Sequence, residues 1–129
     1  MFIMCGDHTN ESGQAIARWF ETNQKLPVTP PYSAICWADD KKIVAAAIFN
    51  DYNGSSIEVH FHGRRGLTRS TIRSIVDYVF IQLKCNILLA RIPRNNTFKK
   101  YLPRIGFKYL AVIPNYFGAS PKRDDGILY

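Results

Sequence analysis

The sequence predicts an α/β domain, a mixed and mostly antiparallel sheet flanked by helices, and three observations carry that expectation. Tyr32–Ala38, Ile43–Phe49 and Ile57–His62 are three strand-like runs separated by short polar turns, which is the pattern of a meander. Residues Thr68–Leu83 then place Ile72, Ile75, Val76, Val79, Phe80 and Leu83 at the spacing of one helical face. Ile87–Ile92 follows as an unbroken apolar run, so it reads as a central strand, reached by a right-handed crossover and parallel to the strand before the helix.

The remaining elements fit around this frame. Residues 2–5 read as a short strand, and Asn10 or Ser12 caps a helix with Ala15, Ile16, Trp19 and Phe20 on one face. The three prolines between Leu26 and Pro31 end that helix. Asp39-Asp40-Lys41-Lys42 turns the first hairpin, and Asn50–Ser55, with Asn53-Gly54, makes the next turn. After Pro93 a second, shorter helix is expected over Asn95–Arg104, from Phe98, Leu102 and Ile105, with Pro103 distorting its last turn. Phe107–Val112 and Ile127–Tyr129 are expected as closing strands around a loop holding Gly118, Pro121 and the charged run Lys122–Asp125. Repeats and low-complexity tracts are absent from the sequence.

At 129 residues the chain is expected to be one domain with a single core. Apolar residues at 47% and charged residues at 21% are ordinary globular values and argue against disorder. Seventeen Lys and Arg against ten Asp and Glu leave +7, which predicts attraction to anions. The basic residues do not form a tail; Arg64, Arg65, Arg69, Arg73, Arg91, Arg94, Lys99, Lys100 and Arg104 gather around one segment, which favours a localised anionic ligand. Cys5, Cys36 and Cys85 are an odd number without metal-type spacing, as expected of reduced thiols in a cytoplasm. The absence of a secretory signal or membrane-length apolar run leads to the expectation of a soluble cytoplasmic protein with no membrane partner.

Ile57–His62 feeds the loop Gly63-Arg64-Arg65-Gly66 and then a helix start, an order that offers backbone N–H groups and the positive end of the helix dipole to an anion such as a pyrophosphate. On the strand itself, Glu58, His60 and His62 alternate onto one side. That trio also mimics a metal triad, but the two arginines that follow would repel a cation, so no metal is expected.

These residues, in this order, resemble the GNAT superfamily of acyl-CoA-dependent N-acetyltransferases, most closely its short phage and prophage forms. The resemblance covers roughly Tyr32–Tyr129 and rests on Phe49-Asn50-Asp51-Tyr52-Asn53-Gly54, Glu58-Val59-His60, Leu67-Thr68-Arg69, Phe80-Ile81-Gln82-Leu83, and Asn95 followed by Gly106-Phe107. Gly66 matches the first glycine of the family's pyrophosphate loop; Gly63 stands where Gln or Arg is usual, Thr68 where a second small residue is usual, and Arg64 or Arg65 supplies the charge.

The resemblance implies a splayed pair of parallel strands ending at His62 and Ile92, acetyl-CoA as co-substrate, and transfer of acetyl to an unidentified primary amine. It further implies that Val59, Phe61, Gly63, Arg64, Arg65, Gly66, Leu67, Thr68, Arg69 and Asn95 contact the cofactor, with the N–H of Val59 or Phe61 polarising the thioester carbonyl. Glu58 is the first choice as base and His60 the second, while Tyr101 lies near the family's acid tyrosine, whose usual place is taken by Leu102. Two other readings stand beside this one: an inactive GNAT-like module, as a virion component or a binder of a host protein, and a basic nucleic-acid-binding domain. A phage origin would place the protein in the host cytoplasm or the virion.

Overall fold

The computed structural model describes residues 2–63, 68–93, 102–108, 110–118 and 124–129. The chain divides into two compact units, Met1–Leu88 and Leu89–Tyr129.

In the first unit, strands β1 (Phe2–Asp7), β2 (Ser33–Asp39), β3 (Lys42–Asn50) and β4 (Ser56–Gly63) form an antiparallel sheet in sequence order. The hairpin between β2 and β3 turns where the sequence predicts it, with Asp40 and Lys41 both at positive φ, 49° and 65°. Two such residues give the turn the twist that neighbouring strands require. The expected three-stranded meander gains a fourth strand because β1 pairs with β2 along its whole length, from Phe2↔Ala38 to Asp7↔Ser33.

Helix α1 (Glu11–Gln24) starts at Asn10, whose side chain accepts from Gly13 N at 2.9 Å. Its inner face buries Ile16, Ala17 and Phe20 on Ala34, Cys36, Ala46 and Ile48 of the sheet. Burial of an Ile or Phe side chain is worth roughly 1.5–3 kcal/mol each, so this stripe is what docks the helix. The first turn can sit this low only because Gly13 lacks a side chain: a Cβ there would lie 1.9 Å from the Asp7 carbonyl oxygen.

The other sheet face receives α2 (Arg69–Val76), with Thr71, Ile75 and Val79 buried, and the Tyr78 ring packs tilted against Phe49, centroids 4.8 Å apart. Helicity continues as expected to Gln82, but Asp77–Gln82 is π-helix, in which Leu83 N bonds to Tyr78 O five residues back. The wider turn breaks the predicted face. Val76 and Phe80, expected in the core, are each 40% exposed, while Val79 stays fully buried.

Residues Asn86 and Ile87 both donate to Ser55 O, so the strand β5 (Ile87–Pro93) begins beside the point where β4 begins. Parallel strands joined by a helical crossover must start this way.

In the second unit, β5 and β6 (Ala111–Gly118) each pair antiparallel with β7 (Asp124–Leu128). Ala90 and Tyr129 exchange N–H···O bonds at 3.0 and 2.8 Å, and Leu102, Phe107 and Tyr129 pack together. The predicted second helix appears among the described residues only as a 3-10 turn, Pro103–Ile105, closed by Gly106 at φ 104°. Residues 95–101 lie outside them. Two closing strands were expected with other bounds. Phe107 and Lys108 precede the strand; β6 runs through Pro114 to Gly118, with its pairing to β7 shifted between Ile113 and Gly118. Proline lacks the ladder N–H, so a strand accommodates it at such an irregularity. Among the described residues no helix is long and apolar enough to cross a membrane.

Replacing Gly13 by Ala should cost about 3 kcal/mol or more, measured by chemical denaturation, because the clash is with backbone and cannot be relieved by a rotamer change. A loss under about 1 kcal/mol would mean that helix and strand are not held this closely.

Candidate active site

Strand β4 carries the candidate residues, and its pairing with β3 decides which way each side chain points. Asn50 lies opposite Glu58, Ile48 opposite His60 and Ala46 opposite His62. Ile48 and Ala46 belong to the core under α1. Glu58, His60 and His62 therefore share the α1 face, and Ile57, Val59 and Phe61 the α2 face.

Glu58 is not a solvated carboxylate: it is 2% exposed, and its Oε2 lies 3.0 Å from His60 Nε2. His60 keeps 19% of its side chain accessible. Asn50 faces Glu58 across the ladder, and its Oδ1 is buried with no hydrogen-bond donor among the described residues. The sequence marks Asn50 as the first residue of a turn, and nothing in its pattern distinguishes an Asn that ends a strand opposite a carboxylate.

His62 lies beyond this group, its ring 5.6 Å from Trp19 on α1. Burial pushes its imidazole below the usual range. Among the described residues no three His, Cys, Asp or Glu side chains could hold a metal ion.

The backbone of β4 has a second edge. Ser55 O accepts from Asn86 and Ile87, and Phe61 O from Gln24 Nε2 at 3.4 Å. Both carbonyls lie on the side away from β3. A strand residue sends its N–H and C=O to the same side, and that side alternates. The N–H groups of Val59 and Phe61 thus also lie on the edge that β3 does not use.

Gly63 ends β4, packed so closely that a Cβ would lie 3.0 Å from the Phe61 ring and 3.1 Å from Ala45. Thr68 caps α2 reciprocally: Thr71 N donates to Thr68 Oγ1 at 3.2 Å and Thr68 N to Thr71 Oγ1 at 2.9 Å. A cap of this kind is worth about 1 kcal/mol. Arg69 is the first helical residue. Arg64, Arg65, Gly66, Leu67, Asn95 and Tyr101 lie outside the described residues.

A cavity of about 530 Å³ opens between β1 and the π-helical segment, lined by Ile3, Cys5, Tyr78 and Ile81 among others. It belongs to the opposite face from Glu58 and His60.

No family model matches the chain, and no curated protein matches its sequence. Solved structures do. An acetyltransferase of the GNAT family from Bacillus anthracis superposes with a TM-score of 0.60 at 14% identity, over 76% of this chain and 63% of that one. The Escherichia coli ribosomal-protein-S18-alanine N-acetyltransferase gives 0.69 at 17% identity, over 98% and 91%. A Campylobacter jejuni N-acetyltransferase, solved in complex with acetyl coenzyme A, gives 0.59 at 15% identity, over 99% and 98%. This chain has the GNAT acetyltransferase fold. It spans less than two-thirds of the Bacillus protein's length and nearly all of the other two.

The depressed titration of His62 fixes a sign. Its neutral form is favoured in the fold, so its contribution is complete above the unfolded value of about 6.5. It is lost as pH falls from there through the depressed folded value. In His62→Gln the fall of Tm below about pH 6.5 should be shallower than in the natural protein. An unchanged slope would show that His62 is not desolvated.

Proposed function

We propose that the protein is an acetyl-CoA-dependent N-acetyltransferase that passes acetyl to a primary amine. The observation that carries this reading is the Glu58–His60 pair on a GNAT-fold strand whose outer edge bears the N–H groups of Val59 and Phe61.

Acetyl-CoA, the co-substrate, supplies an activated acyl carbon. The residues present suit it. The outer edge of β4 offers hydrogen bonds to the amides of the pantetheine arm, and an N–H of Val59 or Phe61 would meet the thioester oxygen as it gains charge. The helix N-terminus at Thr68 and Arg69, with Gly63, Arg64, Arg65, Gly66 and Leu67 before it, would hold the pyrophosphate. Asn95 would contact the cofactor arm and Tyr101 would lie near the leaving sulfur, as in proteins that this sequence resembles.

In the reaction a base within the Glu58–His60 pair takes one proton from the substrate ammonium. The freed nitrogen lone pair forms the C–N bond, the carbonyl π pair moves to oxygen, and collapse of the tetrahedral adduct breaks the C–S bond. The CoA thiolate leaves and acquires the second nitrogen proton, giving the amide, CoA thiol and the proton held by the base. Asn50 Oδ1, a buried acceptor opposite the pair, would receive an N–H of the amine.

Calorimetry with acetyl-CoA should show saturable binding, and Arg64→Ala with Arg65→Ala should weaken it by about tenfold or more, since a hydrogen bond to a charged group contributes about 1.5–3 kcal/mol. Folded protein that gives no binding at millimolar acetyl-CoA would end the enzyme reading. Binding without turnover on any amine would leave a non-catalytic module.

A further inference from the structure

We propose that His60 is the base that accepts the ammonium proton and that Glu58 is a positioning residue that never touches the substrate. The inference rests on the acetyltransferase reading and assigns the roles within its site.

Three observations carry it. Glu58 is sealed at 2% exposure, whereas His60 on the same face keeps 19% of its side chain open. Only the imidazole can reach an entering amine directly. The 3.0 Å contact uses His60 Nε2 and Glu58 Oε2. A carboxylate is an acceptor only, so the ring nitrogen facing it carries the hydrogen, and the neutral tautomer leaves the lone pair on Nδ1. Finally, among the described residues no hydrogen bond engages Nδ1, so none of them competes for that lone pair.

The carboxylate then has two effects. It fixes the ring's rotation and tautomer before the amine arrives, and it stabilises the imidazolium once Nδ1 has taken the proton. The proton comes from the ammonium nitrogen; the electron pair left behind makes the new bond to the acetyl carbon. Among the described residues the surroundings of His60 contain few other titrating groups. Ile48 lies opposite on β3 with Ala46 and Asn50 on either side, α1 presents Ile16, Ala17, Trp19 and Phe20 to this face, and β4 itself adds Glu58 and His62. Of these only Glu58 and His62 ionise, and His62 is biased to its neutral form by burial.

Steady-state rates as a function of acetyl-CoA concentration, between about pH 5 and pH 9, distinguish this from direct action of Glu58. In His60→Gln, kcat should fall by at least about 100-fold with KM for acetyl-CoA unchanged, and the acid limb of the profile should vanish. In Glu58→Gln, kcat should fall by only about tenfold, because the ring keeps its lone pair and loses only its orientation. The reverse ranking, with Glu58→Gln more damaging and the acid limb intact in His60→Gln, overturns the proposal.

The NMR chemical shifts of the imidazole nitrogens in the free protein read the same pair without turnover. The neutral His60 ring should carry its proton on Nε2 in the natural protein, and that tautomer preference should be lost in Glu58→Gln. An Nδ1–H tautomer in the natural protein, or a preference unchanged in Glu58→Gln, overturns the assignment. Failure of the protein to bind acetyl-CoA would instead remove the acetyltransferase reading, whatever the tautomer.

Discussion

The register of β4 against β3 is the constraint on which the rest depends. Glu58 faces Asn50, His60 faces Ile48 and His62 faces Ala46. A slip of one residue would send all three polar side chains to the α2 face and place Ile57, Val59 and Phe61 under α1. The register is held from both sides. Ile48 and Ala46 are locked into the α1 core, while Phe61 packs edge-on to the fully buried Trp37 on the other face, with ring centroids 6.1 Å apart. Two apolar layers thus specify where one carboxylate goes.

That carboxylate sits where burial is expensive. An isolated buried charge costs several kcal/mol, and a hydrogen-bonded partner is the usual remedy. His60 provides one at 3.0 Å, so the same contact that makes Glu58 tolerable in the sheet also orients the imidazole toward accessible space. Fold and chemistry meet in a single hydrogen bond. Meanwhile the edge of β4 away from β3 holds the N–H groups of Val59 and Phe61, and the strand runs toward the arginine-rich segment and the capped start of α2. A carboxylate–imidazole pair and amide donors are therefore set along one strand, and in the sequence positive charge follows it.

Much of this was legible in the sequence because the signals are local. Asn10 caps α1 through its own side chain, and the polar Asp39–Lys42 turn joins two apolar runs of matching length. Alternation alone put Glu58, His60 and His62 on one face. Other features depend on geometry that spacing does not encode. Ile75, Val76, Val79 and Phe80 fit one α-helical stripe, and the π-helical segment from Asp77 rotates Phe80 outward without any change in residue type. The apolar run of the first closing strand ends at Val112, yet β6 continues through Pro114 to Gly118 with a shifted pairing. Asn50 looks like a turn residue, and its place opposite Glu58 follows only from the β3–β4 register. The burial of Glu58 was likewise hidden, since a strand carboxylate reads the same whether α1 covers it or water does.

A crystal structure of the complex with acetyl-CoA tests the central claim most directly. It should show the pantetheine amides paired with the outer edge of β4 at Val59 and Phe61, the acetyl carbon on the His60 side, and the pyrophosphate against the segment from Gly63 to Arg69. A β4 whose outer edge is paired to another strand along its whole length, with the cofactor absent or bound elsewhere, would contradict the account.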